Sequence, residues 1–423
     1  MMRRHHLSPT ELAVLARGDG GPGTVRELAR AQLSKHLMLI KFVAGSWAGD
    51  PAHRDAAVDA LTRAQAARPE AVADLLTDPL IGAWAACATR RLRGLEADTP
   101  IEVECNHLSA IAATAAAITG VPARLTVYAR PGGVALPRLG VARPAAAAWE
   151  PVTAEVQDGR VVVGGVGDWA APWPLTAGDA RLALDDVDPY RGGHHAPAAP
   201  RLSEAEVARW RAVFADGWEL IDTYAPERAA ELAAGLRTLV PLSRTDAHSA
   251  RSATISDAYG AFGLTLPSDG AEFAVMLVHE FQHSKLSGVL AVVPMVAPDS
   301  AELHFAPWRT DPRPVGGLFQ GVYAFLGIAD LWRRLRAHPT LAETAEREFA
   351  TVREQVRWGL DSLAGSRALN PAGRRFTDGM RAAFDDLDAV ALPPAVVEQA
   401  SRQLRETHSG WQSRNAAVLT SGR

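Results

Sequence analysis

The residue pattern of this chain changes at Gly120, and that change is the strongest constraint on its fold. Before it, residues 24–46 place apolar side chains close to the 3.6-residue period of an amphipathic helix, and alanine-rich stretches continue the helical pattern. After it, short β-branched runs such as Ala123–Tyr128 and Arg160–Val163 are separated by Pro-Gly-Gly and Asp-Gly turns. We therefore predict a helical region over residues 1–120, followed by a small antiparallel sheet.

The rest of the chain completes this division into regions. Residues 121–200 hold the predicted sheet and end in a linker rich in Gly, His and Pro, Asp186–Pro200. Ser203 and Glu206 then form a capping box, and helical periodicity dominates from there to the C-terminus. The sequence predicts an α+β fold that is predominantly helical, with a helical metal-binding region over residues 201–423.

Charge and cysteine content exclude several classes of protein. Lys and Arg total 44 and Asp and Glu total 48, so the net charge is −4, and the chain lacks the basic field that holds a nucleic-acid backbone. Two cysteines, Cys87 and Cys105, are too few for a disulfide framework or a thiolate metal cluster. We find no signal peptide and no run of about 18 uncharged apolar residues. We therefore expect a soluble, cytoplasmic protein with no nucleic-acid or membrane partner.

One motif carries metal chemistry. His279-Glu280-Phe281-Gln282-His283 lies in a predicted helix over residues 270–287 and follows the apolar run 273–278. Residues four apart share a helix face, so both imidazoles can reach one metal ion. The apolar run predicts a buried helix, where neutral imidazole is favoured over imidazolium. The alternative is a pair of core histidines that bond to backbone carbonyls.

The third protein ligand of such a metal stays open at this point. Glu302 follows His283 at a spacing familiar from zinc hydrolases, but it lies in a stretch rich in turn residues. His304, Asp311 and Gln320 also carry donor atoms nearby in the chain. Each of the four has an ordinary alternative role as a surface, loop-capping or packed side chain.

A proline-stiffened loop follows the motif. It reads Trp308-Arg309-Thr310-Asp311-Pro312-Arg313-Pro314, and its two arginines are suited to clamping a carboxylate. The alternative is an ion pair between Asp311 and one of the arginines that locks the loop.

These two blocks carry a resemblance to a known family. Val278–Leu286 (VHEFQHSKL) and residues 306–327 (APWRTDPRPVGGLFQGVYAFLG) resemble the actinobacterial HExxH-motif proteins encoded beside ribosomally made peptides. Residues 7–21 (LSPTELAVLARGDGG) and 105–125 (CNHLSAIAATAAAITGVPARL) are also similar to the family, so the resemblance extends over most of the chain. The family implies an iron(II)- and 2-oxoglutarate-dependent β-hydroxylase of a ribosomal precursor peptide.

The resemblance implies a role for each candidate residue. His279 and His283 would hold iron(II), with Gln320 as third ligand at a position where relatives carry His. Arg309 or Arg313 would bind the distal carboxylate of 2-oxoglutarate. Glu280 would organise water or the substrate amide, since the oxidant itself removes hydrogen from the substrate.

Two other functions remain as alternatives. In a zinc metallopeptidase, Glu280 would be the general base on metal-bound water and Glu302 the third ligand. A catalytically silent scaffold would bind a peptide without metal. The strand predicted over Ser252–Leu266 is expected to lie beside a bound peptide by strand addition, or else to be an ordinary strand of a sheet.

Overall fold

The computed structural model describes residues 5–193, 197–244, 252–255, 257–298 and 300–421. Across these ranges the chain forms 13 helices and small sheets of a few strands. This is the α+β, predominantly helical fold that the sequence predicts.

Six helices form the N-terminal part of the fold. The first is capped as expected, because the Ser8 hydroxyl accepts a hydrogen bond from the Glu11 backbone N–H while the Glu11 carboxylate accepts one from the N–H of Ser8. Proline occupies the first or second position of the first five helices, where its missing N–H leaves no hydrogen bond unmade. The helices are α1 (Pro9–Ala16), α2 (Gly21–Gly45), α3 (Pro51–Ala67), α4 (Pro69–Leu76), α5 (Pro79–Leu92) and α6 (Ile101–Thr119).

A three-stranded antiparallel sheet, ordered β1-β4-β5, follows α6, and β2 and β3 pair beside it as a separate ribbon. The predicted two-residue hairpin turn is present: Gln157 pairs with Arg160, and Asp158 and Gly159 have φ values of 51° and 75°. The strands are β1 (Ala123–Tyr128), β2 (Val134–Leu136), β3 (Gly140–Ala142), β4 (Pro151–Gln157) and β5 (Arg160–Val163).

A five-stranded mixed sheet joins the two halves of the chain. Its order is β6-β7-β8-β10-β9, with β8 parallel to both β7 and β10 and the outer pairs antiparallel. The region boundary predicted at residue 200 falls between β7 and β8, so strands from both sides of it hydrogen-bond in one sheet. The strands are β6 (Trp173–Ala177), β7 (Ala180–Leu184), β8 (Thr238–Pro241), β9 (Ser252–Thr254) and β10 (Ala261–Leu264).

The single strand predicted over residues 252–266 is wrong. The segment forms two strands, β9 and β10, which pair antiparallel with Thr254 opposite Phe262. The chain reverses between Thr254 and Ala261, and Gly260, directly before β10, has a φ of 82°, a conformation that glycine adopts without strain. Any Cβ at this position would also meet the carbonyl oxygen of Gly235 at 2.4 Å.

The predicted linker Asp186–Pro200 is held to the protein at its start, while residues 192, 193, 197 and 200 are exposed. Asp186 is 2 % exposed and accepts hydrogen bonds from the Leu202 backbone N–H at 2.7 Å and from Arg201 at 2.5 Å. These contacts tie the segment to the start of the next helix. Residues 194–196 of the predicted linker lie outside the described residues.

The C-terminal part is built from seven helices and one two-stranded ribbon. One of these helices, α10, is long and apolar enough to cross a membrane by length and composition alone, but 72 % of its most apolar 18-residue stretch is buried inside the protein, as in a core helix. The elements are α7 (Glu204–Tyr224), α8 (Pro226–Gly235), α9 (Gly270–Val292), β11 (Leu303–His304), β12 (Arg313–Pro314), α10 (Val315–Leu335), α11 (Ala342–Ala364), α12 (Pro371–Asp388) and α13 (Pro394–Ser421).

The main hydrophobic core is made from both ends of the chain. Leu15 and Leu28, from α1 and α2, are fully buried in the same cluster as Phe273 and Leu277 of α9 and Phe319 of α10. A second cluster packs α3 to α6 against the small antiparallel sheet. The helix that carries the HExxH motif therefore lies inside the main core, between α7 and α10.

Candidate metal centre

Helix α9 presents the HExxH motif from a rigid position. Asp269 caps the helix, its carboxylate accepting a hydrogen bond from the Glu272 backbone N–H at 2.8 Å. Phe273 and Leu277 are fully buried, so the apolar run before the motif fixes the helix in the core. Core packing thus holds the face from which the two histidines project.

His279 and His283 point to a common position. Their Nε2 atoms lie 3.0 Å apart and their ring centroids 4.7 Å apart. Two imidazole nitrogens on adjacent positions of an octahedral metal, each bonded at about 2.1 Å, are about 3.0 Å apart. The pair therefore has the separation that two neighbouring metal ligands need.

The environment keeps His279 neutral. Only 25 % of its side chain is exposed, and the ring of Phe325 packs edge-on against it at 5.4 Å. Burial lowers the pKa of His279 to about 4, although the neighbouring Glu280 carboxylate acts in the opposite direction. Because a metal binds the lone pair of neutral imidazole, this ring is ready to coordinate at neutral pH.

Gln320 reaches the histidines from α10. Its Oε1 lies 3.3 Å from Nδ1 of His283, and its Nε2 donates to Ser287 Oγ at 3.4 Å. The amide therefore contacts the other ring nitrogen of His283, not the one that faces His279, and it orients that ring. To act as the third metal ligand the amide must turn toward the Nε2 atoms, so this role stays a prediction.

The carboxylate of Glu280 is held from β9. Ser252 Oγ donates to its Oε1 at 2.6 Å and Thr254 Oγ1 donates to its Oε2 at 2.5 Å. Glu280 is 3 % exposed, so these hydroxyls replace the water that would otherwise solvate the charge. Both carboxylate oxygens are thus already engaged by protein donors.

A cavity of about 460 Å³ opens beside the histidines. This volume falls within the range of small-molecule sites, about 300–1,000 Å³. The cavity brings together all six residues predicted to form the site, with eight further residues. The lining residues are Ser252, Ala253, Thr254, His279, Glu280, His283, Ser287, Trp308, Arg309, Arg313, Gly317, Gln320, Gly321 and Phe325.

Two aromatic rings form an apolar wall of this cavity. Trp308 stacks on Phe325 with ring centroids 4.3 Å apart and an interplanar angle of 23°. Gly321 makes the stack possible, because a Cβ at that position would lie 2.3 Å from the indole ring. The wall excludes water from the side of His279 that faces α10.

Arg309 and Arg313 line the same cavity and share one acidic partner. Arg309 Nε donates to Asp311 Oδ1 at 3.1 Å, and Arg313 Nη1 donates to Oδ2 at 3.3 Å. Although partial burial raises the pKa of Asp311, hydrogen bonds and charge from the two arginines lower it overall. The loop lock considered from the sequence is therefore present, with both arginines in it. Each guanidinium has five N–H donors, so donors remain for a carboxylate ligand.

Two of the alternative third ligands lie elsewhere. Glu302 accepts hydrogen bonds from Ser366 Oγ at 2.6 Å and from the Arg367 backbone N–H at 3.1 Å. His304 lies 3.4 Å from Glu302. Neither residue lines the cavity, and Asp311 is paired as described above. Among the described residues, no group of three or more His, Cys, Asp and Glu side chains could hold a metal ion.

Sequence reasoning missed several residues of the site. Ser252 and Thr254 were placed on a strand but given no role, although their spacing of two puts both hydroxyls on one face. The loop sequence contains Trp308 and the resemblance includes Phe325, but no sequence pattern assigns a role in the site to either ring or to Ser287. Aromatic packing across a cavity leaves no local signal, since it depends on how α10 and the preceding loop meet.

A buried ionic cluster fixes α9 on its other side. Lys285 is fully buried, and its Nζ donates to Glu231 Oε2 and to the carbonyl oxygen of Gly18, both at 2.7 Å. Burial lowers the pKa of Lys285 to about 8, while the Glu231 carboxylate limits the shift. Gln282 also donates to Gly18 O, at 3.1 Å. The turn at Gly18 is thereby attached to the helix that carries the histidines.

Comparison with known proteins adds no identity. No protein-family model matches this chain, and no curated protein matches it. The resemblance to the HExxH peptide hydroxylases therefore stays a prediction, and a function has to be inferred from the chemistry of the site.

Proposed function

We propose that this protein is an iron(II)- and 2-oxoglutarate-dependent hydroxylase of a ribosomally synthesised precursor peptide. The observation that carries the proposal is the joint placement of His279, His283 and two arginines around one cavity of about 460 Å³. Two nitrogen donors and a carboxylate-binding group are the parts that iron(II) with 2-oxoglutarate requires. Non-haem iron(II) oxygenases hold the metal with protein ligands on one face and leave the other coordination positions open.

The donor set fits iron(II). His279 and His283 offer nitrogen atoms 3.0 Å apart, and Gln320 would add an amide oxygen once its side chain turns from His283 Nδ1 toward the two Nε2 atoms. Such a nitrogen and oxygen set suits iron(II) or zinc and offers no thiolate. Two protein imidazoles and one weak third donor leave room for a bidentate co-substrate. When bound, the iron and 2-oxoglutarate supply the oxidising chemistry.

We assign the distal carboxylate of 2-oxoglutarate to Arg313. Its guanidinium packs on the first turn of α10, since a Cβ on Gly317 would lie 3.1 Å from its Nε. It is also less exposed than Arg309, at 35 % against 51 % of the side chain. A guanidinium that is already held against a helix loses less conformational freedom when it binds a carboxylate. This favours Arg313 as the residue that binds the distal carboxylate.

The other residues prepare the site. The Trp308–Phe325 wall excludes water, which strengthens charge interactions within the cavity. Gln320 orients the ring of His283 through Nδ1. The overall reaction converts a peptide C–H bond, 2-oxoglutarate and dioxygen into C–OH, succinate and carbon dioxide. Both cysteines are free, and we place the enzyme in the reducing cytoplasm.

The positions of Glu280 and Glu302 argue against the zinc peptidase. A general base must point a free carboxylate lone pair at the metal-bound water. Each oxygen of Glu280 retains a lone pair, but hydrogen bonds from Ser252 at 2.6 Å and from Thr254 at 2.5 Å hold the carboxylate toward β9. The third ligand that the peptidase would use, Glu302, is bonded to Ser366 outside the cavity.

The test is a reconstituted reaction. Purified protein is incubated with iron(II), ascorbate, 2-oxoglutarate and the precursor peptide encoded beside it, and peptide mass and succinate are measured. We expect a peptide that gains one oxygen atom and an equal amount of succinate. His279→Ala should abolish metal binding and turnover, and Arg313→Leu should raise the KM for 2-oxoglutarate by about 100-fold, more than Arg309→Leu.

Other outcomes would support the alternatives. Peptide cleavage without 2-oxoglutarate would indicate the metallopeptidase. Less than about half an equivalent of bound metal after reconstitution would indicate a silent peptide-binding scaffold. Bound zinc alone decides nothing, since zinc outcompetes iron(II) at nitrogen and oxygen sites.

A further inference from the structure

We infer that Glu280 is an anchor for β9, and that Ser252 and Thr254 are positioning residues that set the wall of the peptide-binding cavity. The inference rests on the proposed hydroxylase function and gives the motif glutamate a structural task beside the metal. It extends the site from the helix that carries the histidines to the strand that faces the substrate.

The contacts form a two-point clamp. Ser252 and Thr254 are two residues apart on β9, so their hydroxyls leave the strand on the same side. Each donates to a different oxygen of one carboxylate, Ser252 at 2.6 Å and Thr254 at 2.5 Å. Thr254 Oγ1 also lies 3.2 Å from the backbone carbonyl oxygen of Glu280. Hydrogen bonds to a buried charged acceptor are stronger than neutral ones.

The strand needs such an anchor. β9 has three residues and pairs with β10 at three positions, at one end of the strand order of its sheet. So short a pairing is weak by itself, because strand stability grows with the number of cross-strand contacts. Binding of β9 to Glu280 adds a second attachment, to a helix that the core already fixes.

The position of β9 matters for a peptide substrate. Ser252 and Thr254 line the cavity together with His279 and His283. An extended peptide contacts the walls of its binding groove along its length. A strand in the wall therefore influences how deeply the peptide enters the groove and in which direction it runs. A shift of about 1 Å in this wall moves the target C–H bond relative to the metal, which is enough to impair turnover.

The clamp is tested by peptide binding, which does not depend on turnover. The probe is the fluorescein-labelled synthetic precursor peptide, titrated against nickel(II)-loaded full-length protein with 2-oxoglutarate, with anisotropy as readout. We compare Ser252→Ala, Thr254→Val and the double variant with Thr254→Ser, which keeps the hydroxyl. Thr62→Val, at an exposed position of α3, is the matched control for the substitution.

We expect the double variant to bind the peptide about tenfold more weakly, while Thr254→Ser stays close to the parent protein. In the hydroxylation assay the double variant should raise the KM for the peptide more than it lowers kcat. Glu280→Gln should bind the peptide within about threefold of the parent protein, because its amide can still accept one hydroxyl hydrogen bond and donate to the other hydroxyl. Glu280→Ala should resemble the double variant.

Three results would overturn the inference: unchanged peptide affinity in the double variant, a loss confined to kcat, or a Glu280→Gln variant that binds as weakly as Glu280→Ala. Failure of the proposed function has a different signature, namely a parent protein that forms no succinate while it binds the peptide normally. The two failures are therefore distinguishable.

Discussion

Among the residues, His279 and His107 show how surroundings distinguish a candidate metal ligand from a packed side chain. His279 faces a second imidazole across 3.0 Å and borders a cavity. His107, on α6, is 6 % exposed and lies between the rings of Trp84 and Tyr190, with centroids 5.5 and 4.7 Å away. Burial and the charge of Arg130 lower the pKa of His107 well below its usual value. We assign it no metal and predict an effect on stability instead.

His107 should make the protein less stable as the pH falls. Its pKa is lower in the folded protein than in the unfolded chain, so the unfolded chain takes up a proton first. The stability this group contributes is complete above the unfolded pKa of about 6.5 and is lost as the pH falls below it. The variant His107→Phe keeps an aromatic ring but cannot take up a proton. Between pH 7 and pH 5 its free energy of unfolding should therefore decrease by less than that of the parent protein, with a difference on the order of 1 kcal/mol.

Urea unfolding of metal-free protein at several pH values measures this difference. His36 is also buried with a lowered pKa, but it is present in both proteins and its effect cancels in the comparison. Parallel pH profiles for the parent and the variant would contradict the prediction.

At the scale of elements, glycines decide how closely α10 approaches its neighbours. A Cβ on Gly321 would lie 2.3 Å from the Trp308 ring, and one on Gly327 would lie 2.8 Å from Gln282 on α9. Glycine costs helix stability, so its presence inside a 21-residue helix needs a packing reason. Here the reason is the cavity wall on one side and the helix with the histidines on the other.

Gly321→Ala should therefore destabilise the protein although alanine favours helices. The indole of Trp308 must move to admit the methyl group, at a cost of about 1–3 kcal/mol. Gly410→Ala is the matched control: it lies on α13 with no atom within 4 Å of a Cβ, and it should stabilise by about 0.5–1 kcal/mol. Denaturant unfolding measures both, and a neutral or stabilising Gly321→Ala would refute the packing account.

At the scale of the whole molecule, the two ends of the chain build one core around the site. Lys285 and Glu231 form a fully enclosed ion pair, and the carbonyl oxygen of Gly18 completes it. Leu15 and Leu28 are buried in the same cluster as α9 and α10. The site is thus supported by a segment that is distant along the chain, since Gly18 and Lys285 are in contact although 267 positions separate them.

This architecture predicts that residues 201–423 do not fold alone. The fragment lacks β6 and β7 of the mixed sheet and the N-terminal helices that cover α8 and α9. Glu231 and Lys285 would lose the Gly18 carbonyl, and apolar core would be exposed. We expect no cooperative thermal transition by circular dichroism and a poorly dispersed NMR spectrum, with the full chain as control. A fragment that unfolds cooperatively and binds metal would contradict this.

The fold class, most helices and the placement of the two histidines on one helix face follow from local patterns in the sequence. These patterns involve only a few neighbouring residues, so they can be recognised without a structure. They are helical periodicity, the capping boxes at Ser8 and Ser203, and the spacing of four between His279 and His283. The Asp158-Gly159 turn is local in the same way. The reversal between β9 and β10 has no such local signal, because an alternating run that contains a glycine does not reveal that its two halves pair with each other.

Only the tertiary structure decided which distant residues share the site. It brought Gln320 and the arginine loop to His279 and His283, left Glu302 outside, and gave Glu280 its two hydroxyl partners on β9. It also joined strands from both sides of residue 200 in one sheet. The physical reason is that local patterns follow from backbone geometry and side-chain period, whereas these contacts depend on how helices and strands pack around one shared core.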